Sequence, residues 1–138
     1  LYLTGLDGGP YAQFTPAAQR THTSTNDKEH IKQLLMTADL NLAQCYLKLS
    51  KPNYEKAKEY ATKVLSIDAN NVKALVRRAQ AHTGLNDIEN ARLDLHKLEA
   101  LDANSLNDPI VKQLNQRLQM MDAEQTERQR KMYSAMFK

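Results

Sequence analysis

Apolar and polar residues alternate with helical periodicity along most of the chain after residue 26. The first pattern runs from about Lys28 to Leu49, with apolar residues three or four positions apart, as on one face of an α-helix. Its apolar members are Ile31, Leu34, Leu35, Ala38, Leu42, Cys45, Tyr46 and Leu49. Asn26 and Glu29 have the spacing of a capping box, so we expect this first helix to begin there.

Two further helices are predicted between residues 54 and 84. Pro52-Asn53 forms a turn, and the next helix runs from about Tyr54 to Ile67. Its inward residues are predicted to be Ala57, Tyr60, Ala61, Val64 and Leu65. Asn70-Asn71 precedes a third helix, whose inward residues are predicted to be Ala74, Leu75, Ala79 and Ala81. Gly84 is expected to end that helix, because glycine readily adopts a left-handed conformation.

The last two predicted helices begin at polar capping sequences. Asn86-Asp87-Ile88-Glu89 offers a capping box for a fourth helix that reaches Leu101. Asp108-Pro109 starts a fifth, because proline loses no hydrogen bond at the first helical position. The apolar stripe of the fifth helix is predicted to hold Ile110, Leu114, Leu118 and Met121. The sequence therefore predicts an all-α fold.

A segment of the chain recurs after 34 positions. Ile67-Asp68-Ala69-Asn70 returns as Leu101-Asp102-Ala103-Asn104, and Ala57 returns as Ala91. A repeat of this length made of two helices is typical of a tetratricopeptide (TPR) array, which presents a groove for peptides. We predict a linker and remnant of a first repeat over residues 1–26, repeat units over 27–71 and 72–105, and a long C-terminal capping helix over 106–138.

Composition limits the classes of protein that fit. The chain has 138 residues, 41% of them apolar, with two Phe, six Tyr and no Trp, so small and aliphatic residues must fill the core. A net charge of +3 gives no support for nucleic-acid binding. No apolar run is long enough to cross a membrane, and a single cysteine fits a reducing compartment. We expect a cytoplasmic location, with the nucleus as a second compartment.

Three stretches of the chain resemble a known protein family. Two of them are Leu40-Asn41-Leu42-Ala43-Gln44-Cys45-Tyr46-Leu47-Lys48-Leu49 and Lys73-Ala74-Leu75-Val76-Arg77-Arg78-Ala79-Gln80-Ala81. The first resembles the second TPR of the large FKBP-type immunophilins, and the second resembles the third TPR of these proteins and of the large cyclophilins, which are the second choice of family. Lys131-Met132-Tyr133-Ser134-Ala135-Met136-Phe137 is similar to the Tyr-x-x-Met-Phe ending of the family. The resemblance implies that the chain is part of a longer peptidyl-prolyl cis–trans isomerase, with the isomerase domain and the first TPR outside this sequence.

The resemblance also implies a partner and a binding site. TPR domains of this family bind the acidic C-terminal tail of heat-shock protein 90 or 70 chaperones through a carboxylate clamp, whose residues match Asn41, Lys73 and Arg77 here. Lys73 and Arg77 are four residues apart and so share one helix face. We expect an incomplete clamp and weak binding, because the other clamp residues belong to the first repeat. Gln44 and Gln80 are candidates for the groove edge.

Two other modes of association stay open. One is self-association, in which Ile31, Leu34 and Leu35 pack against a second copy and no chaperone tail is bound. The other is calmodulin binding at the basic, amphipathic tail, although a solvated helix end is the preferred interpretation. The tail residues concerned are Arg128, Arg130, Lys131, Tyr133, Met136, Phe137 and Lys138.

The remaining candidate residues favour structural roles. Cys45 is expected to be buried, His82 to pack inside its repeat, His96 to face outward, and Arg78 to be structural or solvated and hence a control for Arg77. The histidines lack metal-ligand spacing, and Gly5-Leu6-Asp7-Gly8-Gly9 is read as a turn rather than a phosphate loop. The sequence predicts no catalytic residue, metal or cofactor in this chain.

Overall fold

The computed structural model describes residues 24–137, which form five α-helices and one short 3-10 helix and contain no strand. The helices are α1 (Thr25–Leu47), α2 (Tyr54–Ile67), α3 (Val72–Gly84), α4 (Ile88–Leu101) and α5 (Pro109–Met136), and the 3-10 helix (Ala103–Asn107) precedes α5. The chain divides into two compact units, residues 1–38 and 39–138, with the boundary inside α1. The predicted all-α fold is confirmed. The predicted linker over residues 1–26 lies outside the described residues, except for residues 24–26.

The helices begin at the polar caps that the sequence suggests, with one exception. Asn53, Asn71 and Asp87 accept hydrogen bonds from backbone amides in the first turns of α2, α3 and α4, and Asp108 does so for α5, with Pro109 in the first turn. Helix α1 begins earlier than predicted, because the Ser24 hydroxyl accepts from the amide of Asp27 at 3.0 Å. The Ser24–Asp27 pair is therefore the capping box of α1, in place of Asn26 and Glu29.

Alanine is the most frequent residue type among the buried hydrophobic side chains. Seven alanines have no exposed surface, and they allow neighbouring helices to approach closely. They are Ala43, Ala57, Ala61, Ala74, Ala79, Ala81 and Ala91. Helix α3 packs against both α2 and α4, and α5 packs against α3 and α4. The buried stripe of α5 differs from the prediction: Val111, Leu114 and Leu118 are buried, whereas Ile110 is exposed.

In the turn between α3 and α4, the residue with a left-handed backbone conformation is not the predicted Gly84. Asn86 has φ 61°, and no described glycine has positive φ. Asparagine adopts this conformation more readily than most residues. Gly84 is the last residue of α3, and its role is steric: a Cβ there would overlap the ring of Tyr54 at the start of α2.

Gly84→Ala is expected to lower the free energy of unfolding by about 1–3 kcal/mol, because Tyr54 must move to admit the methyl group. Without that overlap, alanine would stabilise a helix by about 1 kcal/mol relative to glycine. Urea unfolding measures the effect. The same substitution in a Tyr54→Leu background is the control and should be neutral or stabilising; an equal loss in both backgrounds would contradict the steric explanation.

Candidate peptide-binding site

The predicted clamp residues lie on α1 and α3. Asn41 and Lys73 are exposed, and Arg77 is half-buried. Lys73 lies one turn before Arg77 on α3, so both side chains leave the same side of that helix. The first turn of α3 contains no acidic residue that would neutralise Lys73. Two of the three predicted residues are therefore free to meet a ligand in solvent.

A hydrogen bond connects Arg77 to helix α1. Its Nη1 atom donates to the carbonyl oxygen of Leu40 at 2.9 Å, so the guanidinium lies at the turn of α1 that carries Asn41. Burial lowers the pKa of Arg77 from its ordinary value, but the side chain stays charged at neutral pH. The guanidinium has five N–H donors. Since one bond fixes its position, the others remain for a carboxylate.

Gln44 and Gln80 are candidates either for the edge of the groove or for a plain surface role. Both are half-buried, and each lies three residues beyond Asn41 or Arg77 on the same helix. Their amides could donate to a peptide backbone without adding charge. The clamp and edge residues stay predictions.

Arg78 is part of a buried ionic cluster that the sequence analysis missed. Its Nε and Nη2 atoms donate to the two carboxylate oxygens of Asp94 on α4, at 2.9 and 2.7 Å. Asp94 is 4% exposed, and His82 lies 3.6 Å from it through Nε2. A signal was present: Ala91, Asp94, Leu95 and Leu98 form the buried stripe of α4, and a carboxylate in such a stripe requires a partner. The structural role foreseen for Arg78 fits, but Arg78 cannot serve as a solvated control.

The imidazole of His82 is buried, as predicted, between two carboxylates. Its Nδ1 atom lies 3.6 Å from Asp87 and makes no hydrogen bond. Burial lowers the pKa of His82 below 6.5, although Asp94 and Asp87 oppose this effect and Arg78 and Lys58 add to it. The neutral imidazole is therefore the form that the folded protein favours.

Stability is expected to fall as the pH drops below about 6.5, because the unfolded chain then binds a proton that folded His82 resists. The contribution of His82 to stability is fully present above the pKa that this residue has in the unfolded chain. As the pH falls, the contribution is lost by at most about 1.4 kcal/mol per pH unit, and the loss ends at the lower pKa of His82 in the folded protein. Urea unfolding between pH 7.5 and 5 measures it. In His82→Gln this dependence should disappear, and a similar slope in both proteins would assign it to other groups.

Cys45 is exposed, not buried as predicted. The helical stripe that includes Leu42 and Cys45 turns outward on α1, where Leu42 is also exposed, while Ala43 is fully buried. His96 is exposed, as predicted. Among the described residues there is no cluster of metal-ligating side chains and no helix long and apolar enough to cross a membrane.

The surfaces proposed for other partners are partly exposed. On α1, Leu34 is exposed, while Ile31 and Leu35 are half-buried. Near the end of α5, Arg130 is paired with Glu127 through bonds of 3.1 and 2.7 Å. The rest of the tail up to Phe137 is exposed, and Lys138 lies outside the described residues. Self-association through α1 and calmodulin binding at the tail stay predictions.

Comparison with known proteins shows what this chain is related to. No protein-family model matches it. It is 36% identical over 115 residues to peptidyl-prolyl cis-trans isomerase FKBP4 of Bos taurus, a match that covers 83% of this chain and 24% of the relative. For FKBP4 of Homo sapiens the identity is 37% over 117 residues, with the same coverage. FK506-binding protein 59 of Drosophila melanogaster is 36% identical over 80 residues, covering 58% of this chain and 18% of that protein.

A solved structure gives the same relationship. The C-terminal TPR-containing domain of a Plasmodium falciparum FK506-binding protein superimposes with a TM-score of 0.62 at 27% identity, covering 94% of this chain and 76% of that one. The chain spans about a quarter of the length of its curated relatives, so it corresponds to one part of such proteins. By sequence and by fold, the chain belongs to the FKBP-type immunophilins, as a TPR domain of that family.

Proposed function

We propose that this domain is a co-chaperone-type interaction module that binds the acidic C-terminal tail of a heat-shock protein 90 or 70 chaperone. Asn41, Lys73 and Arg77 act as the carboxylate clamp. The observation that carries the proposal is the bond from Arg77 to the Leu40 carbonyl, which holds a half-buried guanidinium beside Asn41. Fixing the guanidinium before binding reduces the entropy lost when a carboxylate arrives.

The three side chains have complementary chemistry for the end of an acidic peptide. Arg77 offers parallel donors that match a carboxylate, Lys73 adds a compact charge one turn away, and Asn41 donates from its amide. A hydrogen bond to a charged group contributes about 1.5–3 kcal/mol. A micromolar complex corresponds to about 8 kcal/mol, so these contacts could supply much of the affinity.

Calorimetric titration tests the proposal with two peptides that differ in one group. Met-Glu-Glu-Val-Asp is titrated into the chain as the free acid and as the C-terminal amide. The clamp predicts that the acid binds more tightly, because only the acid presents the terminal carboxylate to Arg77 and Lys73. Equal binding of both peptides, or binding of neither, would contradict the proposal.

The curated relatives are named as peptidyl-prolyl isomerases. For a longer protein that contains this chain we propose the same activity, carried by sequence outside these 138 residues. The TPR domain would then bring the isomerase to the chaperone by binding the chaperone tail. Peptide binding by the TPR domain and catalysis by the isomerase domain would be separate activities.

A further inference from the structure

The second half of helix α5 leaves the packed core. Leu118 is the last buried residue in this helix, which continues for about five more turns to Met136. In proteins, most of the stability of a helix comes from packing of its apolar face. Large apolar side chains nevertheless persist there: Met132, Tyr133 and Met136 are each more than half exposed. This arrangement is typical of a helix that packs against a partner.

One stripe of α5 runs without a break from the core into the free half. Its residues alternate at spacings of three and four, which is the heptad pattern of a coiled-coil seam. They are Val111, Leu114, Leu118, Met121, Gln125, Arg128 and Met132. The first three are buried in the domain. The last four, here called the α5 stripe, line an open groove together with Asn86 in the α3–α4 turn and Ile88 at the start of α4.

We propose that two copies of this chain associate through their α5 stripes, packed antiparallel about a twofold axis. In the antiparallel register that pairs core positions, Met121 faces the partner's Met132, and Gln125 faces the partner's Arg128. The twofold axis repeats each layer, so two methionine layers enclose two hydrogen-bonded polar layers. The stripe is therefore complementary to itself, which a twofold interface requires.

Charges beside the stripe agree with the same register. Glu124 and Lys131 flank the core positions, and antiparallel packing places Glu124 against the partner's Lys131. Within the described part of the chain, neither side chain has an ion-pair partner, whereas Glu127 is already paired with Arg130 of its own helix. Parallel packing would instead place Glu124 beside the uncharged Gln129 of the other copy, where it gains no ion pair. The charge pattern thus favours a second copy in the antiparallel direction.

The polar layers make the proposed dimer weak but specific. A polar residue at a core position of a coiled coil fixes register and orientation at a cost in stability. Association should therefore depend on concentration, and a dimer should accumulate between roughly 1 µM and 1 mM. Sedimentation velocity over this range, with the unmodified chain, measures it. A monomeric mass at every concentration would overturn the inference. The α5 stripe would then be a binding site for another protein, such as calmodulin.

Two methionines provide a matched pair of variants. Met132 on the stripe is 64% exposed, and Met120, off the stripe, is 65% exposed. Met132→Glu places a charge in two layers of the dimer, and we expect about a hundredfold weaker association. Met120→Glu adds the same charge outside the interface and should leave association unchanged. Equal effects would contradict the assigned face, and circular dichroism confirms that both variants are folded.

A charge exchange tests the antiparallel register. Glu124→Lys and Lys131→Glu should each weaken association about threefold to tenfold, and the double variant should restore it. Disulfide trapping in a Cys45→Ser background gives an independent reading. A mixture of Glu124→Cys and Lys131→Cys chains should cross-link between the two variants, whereas Glu124→Cys alone should not. Efficient cross-linking of Glu124→Cys with itself would overturn the antiparallel arrangement.

Discussion

Arg78→Ala is expected to lower the free energy of unfolding by about 3–5 kcal/mol and the melting temperature by about 10 °C or more. The substitution removes both donors that reach Asp94 and leaves a carboxylate that is 4% exposed with only the nearby His82 imidazole. An unpaired charge in such a position is among the most destabilising changes in a small domain. Urea unfolding and calorimetry measure the two quantities.

Two variants distinguish the buried charge from the loss of a long side chain. Arg117→Ala removes an exposed arginine of α5 and should change stability by no more than about 0.5 kcal/mol. Replacing both partners, as in Arg78→Leu with Asp94→Leu, should recover most of the loss, because no charge is left unpaired. A loss below about 1 kcal/mol in Arg78→Ala would show that solvent screens Asp94.

Lys73→Ala and Arg77→Ala are each expected to weaken binding of the free-acid peptide by about 10-fold to 150-fold. Each substitution removes a charged donor to a carboxylate, which is worth about 1.5–3 kcal/mol. Calorimetric titration of Met-Glu-Glu-Val-Asp measures the loss. Arg77→Lys retains the charge without the planar fork, so it should bind more weakly than the unmodified chain but better than Arg77→Ala.

The control for these variants must leave the buried ionic cluster of Arg78, Asp94 and His82 intact. Lys97→Ala removes an exposed lysine from α4, and we expect less than about a twofold change in affinity. Arg78→Ala is unsuitable, because a loss of folding would be misread as a loss of binding. Melting temperatures are needed for Arg77→Ala in particular, since Arg77 also bonds to Leu40. Equal weakening by Lys97→Ala would indicate general charge attraction instead of a clamp.

The helices could be predicted because local residues determine them. Asn53, Asn71, Asp87 and Asp108 cap their helices by bonds within three residues, so a sequence contains all that is needed. The start of α1 was misplaced because Ser24 and Asn26 are both good caps, each followed three residues later by an acidic side chain. The two capping boxes differ only slightly in free energy, and a sequence pattern cannot show which of them is the more stable.

Features that depend on contacts between helices could not be predicted in the same way. The periodicity of α1 did not show that Cys45 turns outward, because the direction of a stripe is set by what packs on it. The pairing of Arg78 with Asp94 joins two helices: the buried stripe of α4 indicates that Asp94 needs a partner, but not which residue of another helix supplies it. The candidate clamp was found by resemblance together with the spacing of Lys73 and Arg77, while the bond from Arg77 to Leu40 needed coordinates.

The unbroken course of helix α5 has a mechanical consequence. Helix α5 contains no proline after Pro109 and no glycine, so its packed and free halves turn together as one rod. From Leu118 to the last turn is about 27 Å, and a rotation of about 5° at the packed end moves the tip by about 2 Å. Small adjustments of α3 and α4 at the packed end are therefore expected to be magnified at Met132 and Met136.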